Sequence, residues 1–573
     1  MAMPLLPVID RRSWLLHLLA IIAYGAMVLY GPLAEGTPEE RTYTLVLSGS
    51  VALLAAFTTR RFAFSLIASA GLFILILTSS VLKVTYLTTP LLAPDLVYFA
   101  NLETLEVFAR YPLILIASFA GLVALPLSLG GIWRIDRPRL FSGLRRWPRI
   151  VVLSLGAGLS AVALFATLNP RGPFMHVYGK GMWAAMNDKS YLTDFFISFY
   201  ATQIEPPKLV KDAASRQVWN EQVASVGDPR QRPDIVAVLQ ESTFDPSMLV
   251  ECRLPVCKRR LFQVDKRTRA HGLLQVHTWG GGTWTSEFAF LTSMAHVLFG
   301  NAGLYAPFNL APRVAYSLPR ALKENGYRTI AIYPMSGSFI NARNAYNFYG
   351  FDTFYDGTTY GLGWDSNDFD LLKVFNRIYE DEKRAHSTQP LFIFMLTLHQ
   401  HGPHMTPLRD LPSPYNKPLF PKRLNPWLNL NLGNYLERLE QSEQAMAQLE
   451  QKLFASDRRT VLMHFGDHQP SFDGAINALE KKVPKGVKDP TKVTYYMLKS
   501  NFPLRRKIDF PVLDIIYLGS LLLDVADLRK DDFYEASALL RDRCEGRYFD
   551  CKEPALLESY HDYVFGTIGA LRE

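Results

Sequence analysis

Four short stretches of this chain carry side chains that could hold a cation and attack an electrophile. The central one is His277-Thr278-Trp279-Gly280-Gly281-Gly282-Thr283-Trp284-Thr285-Ser286-Glu287-Phe288. Three successive glycines let the backbone turn sharply and approach a ligand closely. The hydroxyl residue after them, Thr283, stands where a strand-like run gives way to a helix-like one. At a helix N-terminus the unpaired N–H groups and the dipole support developing negative charge, so a threonine alkoxide or a phosphate is stabilised there. Thr283 is therefore the candidate nucleophile, and Thr285 and Ser286 compete with it from one helical step or more inside. The other stretches are Glu241, His399-Gln400-His401-Gly402-Pro403-His404, and Asp467-His468. Two acids, an imidazole and a hydroxyl oxygen make a ligand set suited to one divalent cation, Zn²⁺ or Mn²⁺. Such a cation would lower the threonine pKa and polarise a phosphoryl oxygen.

Each residue also has a plainer reading. Glu241 could cap the turn after its strand, and Asp467-His468 could cap a helix in Pro470–Glu480. His401 could be a satisfied surface histidine, and His399 and His404 surface or supporting ones. What favours chemistry is that all of them fall at the ends of strand-like runs.

Those runs are Asp234–Glu241, Leu273–Trp279, Tyr327–Met335, Leu391–His399 and Arg459–His468, short, apolar and β-rich. Between them Val314–Gly326, Phe369–Ala385 and Leu436–Asp457 have helical period and charge. Strands alternating with helices predict an α/β domain with a central, mostly parallel sheet covered on both faces. Ligands of such sheets bind at the carboxyl ends of the strands, which is how residues far apart in sequence come to share one site.

The front of the chain is different. With 573 residues and 49% hydrophobic content, the whole is too apolar for a purely soluble protein. Trp14–Leu33, Tyr43–Thr59, Phe62–Leu82, Leu113–Trp133 and Ile150–Leu168 are nearly uncharged, each near the ~20 residues that cross a bilayer core. They predict a five-helix transmembrane domain over 1–168, a connector over 169–231 and an extracytoplasmic domain over 232–573. The link from Lys83 to Tyr111 is apolar, with Asp95, Glu103 and Glu106 scattered through it. It reads as an interfacial helix or as an ordinary linker.

Arg11, Arg12, Arg60, Arg61 and the six arginines between Arg134 and Arg149 mark the cytoplasmic connections. Everything after Leu168 is then outside. The four cysteines, Cys252, Cys257, Cys544 and Cys551, all lie in that external part, in two pairs spaced for small disulfides rather than for zinc. The net charge of +8 is modest for this length and gives no sign of nucleic-acid binding.

The segments PDIVAVLQES, GGGTWTSEF, TLHQHGPH and FGDH, taken in this order, resemble the successive motifs of the alkaline phosphatase/sulfatase superfamily. More narrowly they resemble its membrane-anchored phospholipid head-group transferases: the lipoteichoic acid synthases, the glucan phosphoglycerol transferases and the lipid A phosphoethanolamine transferases. The resemblance implies a five-helix anchor followed by an external catalytic domain.

It implies that Glu241, Asp467 and His468 hold the metal together with the nucleophile Thr283. His401 would hold the substrate phosphate or serve the leaving group. Arg343, within Asn341-Ala342-Arg343, would contact the head group, and Trp284, His399 and His404 are further substrate contacts. The phosphoethanolamine branch usually has a cysteine-glycine pair before the nucleophile and Asp-His-Gly-Glu in the late motif. This chain has Gly281-Gly282 and Gln469-Pro470 at those places, which leans towards phosphoglycerol.

The expected activity is transfer of phosphoglycerol from phosphatidylglycerol to a periplasmic or surface glycan through a phosphothreonine, by a monomer in a bacterial inner membrane. Phosphoethanolamine transfer to lipid A or a glycan, hydrolysis on the same fold, and a non-enzymatic binding protein are the rivals. The CxPxR or SxPxR context of a sulfatase proper is missing.

Overall fold

The computed structural model describes residues 11–572 except 88–89, 99–111, 138–139, 179–189, 201–203, 205–206, 208, 211–218, 220–231, 473 and 505–507. Glu103 and Glu106 lie outside the described residues, as does most of the predicted connector; in the described part of the Lys83–Tyr111 link one helix runs on to Leu87 and Asp95–Tyr98 form a short helical turn. The chain divides into two compact units, and the division falls within that connector. The first unit is Met1–Thr85 with Thr89–Gln203, and the second is Tyr86–Thr88 with Ile204–Glu573.

The first unit is helical. Helices α1 (Arg11–Tyr30), α2 (Pro38–Thr59), α3 (Phe62–Leu87), α4 (Pro112–Ile135) and α5 (Arg146–Leu168) stand at the five apolar runs. Among the described residues, four of these places carry helices long and apolar enough to cross a membrane: Trp14–Ala34, Pro38–Thr59, Phe62–Thr85 and Arg146–Leu168. In α4 the described apolar part is Val123–Ile135. Helix α2 begins where its sequence tells it to. Thr37 accepts from the Glu40 backbone N–H, Glu40 reaches back to Thr37, and Pro38 fills the first position, where no N–H is needed. The short helix α6 (Leu192–Ile197) is tied to the start of this hairpin: Glu35 accepts from the N–H groups of Leu192 and Thr193, and Ser190 donates to Glu40 at 2.7 Å.

The second unit is built on one eight-stranded sheet: β1 (Asp234–Gln240), β2 (Thr268–Gln275), β3 (Arg328–Tyr333), β4 (Thr353–Asp356), β5 (Leu391–Leu396), β6 (Thr460–Gly466), β7 (Val493–Ser500) and β8 (Val512–Asp514). Their order across the sheet is β4-β3-β5-β1-β6-β7-β2-β8. The sheet is mixed: β7 runs antiparallel to both β6 and β2, and the other pairings are parallel. The alternation of strand and helix does not reveal a reversed strand, because β7 follows irregular chain rather than a crossover helix. Its reversal matters, since it brings the start of β7 to the edge where β1 and β6 end. Strands β4, β7 and β8 are not among the runs recognised in sequence.

Both faces of the sheet are covered, and β1 and β6 are buried along their whole length. Ile235, Ala237 and Leu239 point into one apolar cluster with Val461, Met463 and Phe465, and Val236 and Val238 into the other with Leu462. Burying each such aliphatic side chain contributes ~1.5–3 kcal/mol, so the central strands are the least deformable part of the unit. Helix α7 (Thr283–Thr292) opens on the candidate nucleophile, α8 (Ala342–Tyr349) carries Arg343, and α9 (Asp368–Ala385) leads into β5.

The long helix α10 (Pro426–Phe454) covers one face. Asn425 caps it by accepting from Leu428 N at 2.8 Å. Leu428, Leu432, Tyr435, Leu436, Leu439, Met446, Leu449 and Leu453 form its buried stripe. It starts ten residues before the expected Leu436 because the cap and Pro426 extend it.

Both cysteine pairs are bonded, Cys252–Cys257 and Cys544–Cys551, with Cα separations of 5.7 and 4.8 Å.

At the end of β6 the chain passes so close to the turn after β1 that a Cβ on Gly466 would lie 1.8 Å from the Thr243 carbonyl oxygen. That neighbour is backbone between two central strands and cannot move aside. Gly466→Ala is therefore expected to lose ~3 kcal/mol or more, read as a lowered midpoint of thermal unfolding.

Candidate active site

The register of the sheet creates the site. Strands β1 and β6 are adjacent and parallel, with Gln240 opposite Gly466, so the next residues, Glu241 and Asp467, leave the sheet side by side at its carboxyl edge. Strand β5 flanks β1 on the other side. Thr397, just past its end, donates its N–H to the Leu239 carbonyl and accepts from Glu241 N. Four residues later its loop delivers His401.

Facing ligand atoms of Glu241, Asp467 and His468 lie within 4.8 Å of one another, and all three residues are buried. His468 Nε2 is 3.3 Å from Asp467 Oδ2 and 3.6 Å from Glu241 Oε1. The other ring nitrogen, Nδ1, donates to the Gln469 carbonyl at 2.9 Å, which fixes the tautomer and turns the Nε2 lone pair towards the carboxylates. Asp467 Oδ1 accepts from the N–H groups of Ser242 and His468, each at 2.7 Å, and Ser242 Oγ donates to Glu241 Oε1 at 2.7 Å. Ser242 is held at φ 51° to make both contacts. Burial pushes the Asp467 carboxyl above its ordinary range, and His468 and the Thr283 hydroxyl beside it pull the other way. Two buried carboxylates and an imidazole lone pair converging on one point fit a divalent cation.

Thr283 completes the group. Its Oγ1 lies 3.3 Å from His468 Nε2. Gly280 and Gly282 have φ of 66° and 80°, in the left-handed region that a side chain resists, and this sharp turn puts Thr283 at the first position of α7. Its rivals are occupied: Thr285 Oγ1 donates to the Gly282 carbonyl, and Ser286 Oγ to the Asp467 carbonyl.

The remaining predicted residues make contacts of their own. The His401 ring lies 4.7 Å from that of Trp364, and its Nδ1 donates to the Gly402 carbonyl. Arg438, on α10, donates to the carbonyls of His401 and Pro403, each at 2.9 Å, holding this loop by its backbone. Arg343 sits in the first turn of α8, 48% exposed, paired with Asp356 at 2.7 Å and stacked over Phe354. Among the described residues no hydrogen bond joins it to the cation group. Trp284 donates to the Leu304 carbonyl.

Burial pushes His399 down to about 4. His404, expected to contact substrate, is 3% exposed and walled in by Tyr435 and Phe472. Among the described residues no α-helix follows Asp467-His468: the segment makes one short 3-10 helix, Ala475–Ala478, preceded by Gly474 at its N-cap position, so capping does not explain the pair.

The match to the sulfatase family runs over residues 233–503, from just before β1 to just past β7, and takes in every residue of the site. These residues form a sulfatase-family domain.

The chain is 28% identical over 351 residues to an uncharacterized protein of Haemophilus influenzae, covering 60% of this chain and 62% of that protein. It is 24% identical over 288 residues to a putative cyclic beta-1,2-glucan modification protein of Rhizobium meliloti, covering 45% of this chain and 40% of that one. The chain thus spans less than two thirds of either relative's length. Among solved structures, it is similar to the Streptococcus pyogenes phosphoglycerol transferase GacH in complex with sn-glycerol-1-phosphate. There the identity is 19% and the TM-score 0.49, over 64% of this chain and 96% of that one.

Sequence reasoning passed over several residues of this domain. Ser242 and Gln469 adjoin the ligands and could have been found by proximity. Arg438 lies in an ordinary amphipathic helix, and nothing local distinguishes it.

Glu287 was overlooked as well. It is fully enclosed, accepts from Tyr346 Oη at 2.8 Å, and burial, with Asp467 nearby, pushes it up to about 7. A carboxyl raised on folding contributes stability that is complete below its unfolded pKa of ~4.3 and is lost as pH rises towards 7. Glu287→Gln keeps an acceptor for Tyr346 and removes the charge. In chelator-treated protein it is expected to raise stability at pH 8 by up to ~3 kcal/mol and by less at pH 5, measured by thermal unfolding at both.

Proposed function

We propose that this protein is a membrane-anchored transferase that moves phosphoglycerol from phosphatidylglycerol to a periplasmic or surface glycan, with Thr283 as the nucleophile. The observation that carries the reading is the Thr283 hydroxyl at a helix N-terminus, 3.3 Å from His468 Nε2 in a buried group of two acids and an imidazole.

Glu241, Asp467, His468 and the Thr283 oxygen would hold one divalent cation, Zn²⁺ or Mn²⁺; when bound it supplies positive charge that lowers the threonine pKa and polarises the phosphoryl oxygen. In the first step Thr283 Oγ1 bonds to the lipid phosphorus and its proton passes to water. The bond from phosphorus to the diacylglycerol oxygen breaks, and that oxygen takes a proton, for which His401 is the donor. In the second step an acceptor hydroxyl oxygen bonds to the phosphorus and gives its proton to His401, while the bond from phosphorus to Thr283 Oγ1 breaks and that oxygen takes a proton back from water. The N–H groups at the start of α7 face the charge on phosphorus in both steps.

The glycan acceptor draws support from the likeness to the putative glucan modification protein, and the choice of phosphoglycerol from Gly281-Gly282 and Gln469-Pro470. The four apolar helices, with the fifth at Pro112–Ile135, support a multi-pass anchor in a bacterial inner membrane. On this reading the sulfatase-family domain is periplasmic, its disulfides formed in an oxidising compartment.

The test is mass spectrometry of the intact protein after incubation with either phosphatidylglycerol or phosphatidylethanolamine. Phosphoglycerol added to the peptide containing Thr283, from phosphatidylglycerol alone, is the expected result. Phosphoethanolamine on that peptide would replace the donor assignment, and free glycerol phosphate without glycan product would make the protein a hydrolase.

A further inference from the structure

The turn that carries the nucleophile and the turn that carries the cation ligands are joined on both sides of the contact between Thr283 and His468. Gly280 N donates to the Gln469 carbonyl at 3.1 Å. Thr283 Oγ1 lies 3.3 Å from His468 Nε2. Ser286 Oγ donates to the Asp467 carbonyl at 2.8 Å. Positions 280, 283 and 286 therefore meet 469, 468 and 467 in antiparallel order, with Thr283 and His468 in the middle.

Both outer members are built for the task. Ser286 is 2% exposed and Gln469 fully buried. The Gln469 amide Nε2 donates to the carbonyls of Pro490 at 2.8 Å and Val493 at 2.6 Å, at the start of β7. With its side chain fixed there, Gln469 offers one backbone oxygen both to Gly280 N and to His468 Nδ1. A single carbonyl thus orients the ligand ring and pins the glycine turn.

We propose that Ser286 and Gln469 are positioning residues that clamp the glycine turn to the end of β6 and so set the distance between the Thr283 oxygen and the cation ligands. This rests on reading Glu241, Asp467 and His468 as the cation site. A glycine turn has high conformational freedom, whereas a reacting oxygen misplaced by ~1 Å loses ~10²-fold in rate. Something must therefore hold this turn, and these two hydrogen bonds bracket it. They also explain a hydroxyl that could have been mistaken for the nucleophile: Ser286 is spent on the Asp467 backbone.

The experiment uses full-length protein, stripped with chelator and titrated with Mn²⁺ in a calorimeter, alongside thermal unfolding of the metal-free form. Ser286→Ala and Gln469→Ala are each expected to weaken Mn²⁺ binding ~10-fold or more, while the metal-free midpoint falls by no more than ~2–4 °C. Ser286→Thr, which keeps the hydroxyl, is expected to return affinity to within about threefold of wild type.

The proposal is overturned if both alanine variants bind Mn²⁺ as wild type does. It is also overturned if the loss of affinity merely follows the unfolded fraction and threonine rescues nothing. Should Ser286→Ala fail to fold, Gln469→Ala, read in the same two ways, decides. A wild-type protein that binds neither Mn²⁺ nor Zn²⁺ would instead remove the cation reading, and this inference with it.

Discussion

Replacing Thr283 with alanine is expected to lower diacylglycerol release from phosphatidylglycerol by ~10³-fold or more, the scale seen when a nucleophile is removed from a group that acts as a unit. The labelled peptide found after incubation with lipid should vanish with it. Thr283→Ser keeps the oxygen and should retain a measurable part of the rate. The geometry makes this a sharp test, because the other hydroxyls on the same turn are engaged: Thr285 with Gly282 and Ser286 with Asp467. Wild-type release by Thr283→Ala would therefore end the covalent mechanism, with no second nucleophile on this turn to rescue it.

Asp467→Asn is the second large effect, and it carries a signature in two directions. The asparagine oxygen can still accept from Ser242 and His468, as Oδ1 does now at 2.7 Å, so the turn keeps its shape. An amide then replaces the oxygen that lies 3.3 Å from His468 Nε2. Second-sphere changes around a metal cost 10–100-fold in affinity, so the loss of a charged ligand should cost at least ~100-fold.

Without metal the variant should be more stable than wild type, because the carboxyl it removes is one that burial alone holds above its usual range. With metal in excess wild type should gain by mass action and the variant should not. Unfolding of both proteins with and without Mn²⁺ distinguishes this crossing pattern from a general loss of fold, in which the variant would be the weaker under both conditions.

The convergence of the candidate site residues was the most legible part of the chain. Glu241, Thr283 and Asp467-His468 each close a recognisable apolar run or glycine turn, because a strand that ends at a site must stop in polar residues at its carboxyl edge. The apolar helices at the front of the chain were legible for a similar reason, since a bilayer admits few alternatives to long uncharged helices. The reversed strand β7 was not. Its residues, VTYYMLKS, mix apolar and polar side chains, and direction within a sheet leaves no mark on composition. Nor was the burial of His404, which depends on Tyr435 and Phe472 arriving from distant parts of the chain. Arg343 was named for its motif, but its pairing with Asp356 follows from β4, which sequence reading missed.

The sequence by itself determined which residues could do chemistry and which segments are apolar enough for a membrane, because both depend on side-chain type and local period. Only the tertiary structure decided which of three neighbouring hydroxyls is available and how the ligands meet. Those outcomes depend on the register Gln240 to Gly466 and on carbonyls of Asp467 and Gln469 that no side chain announces. A backbone oxygen has the same chemistry at every position, and its partner is fixed only when the strands are in place.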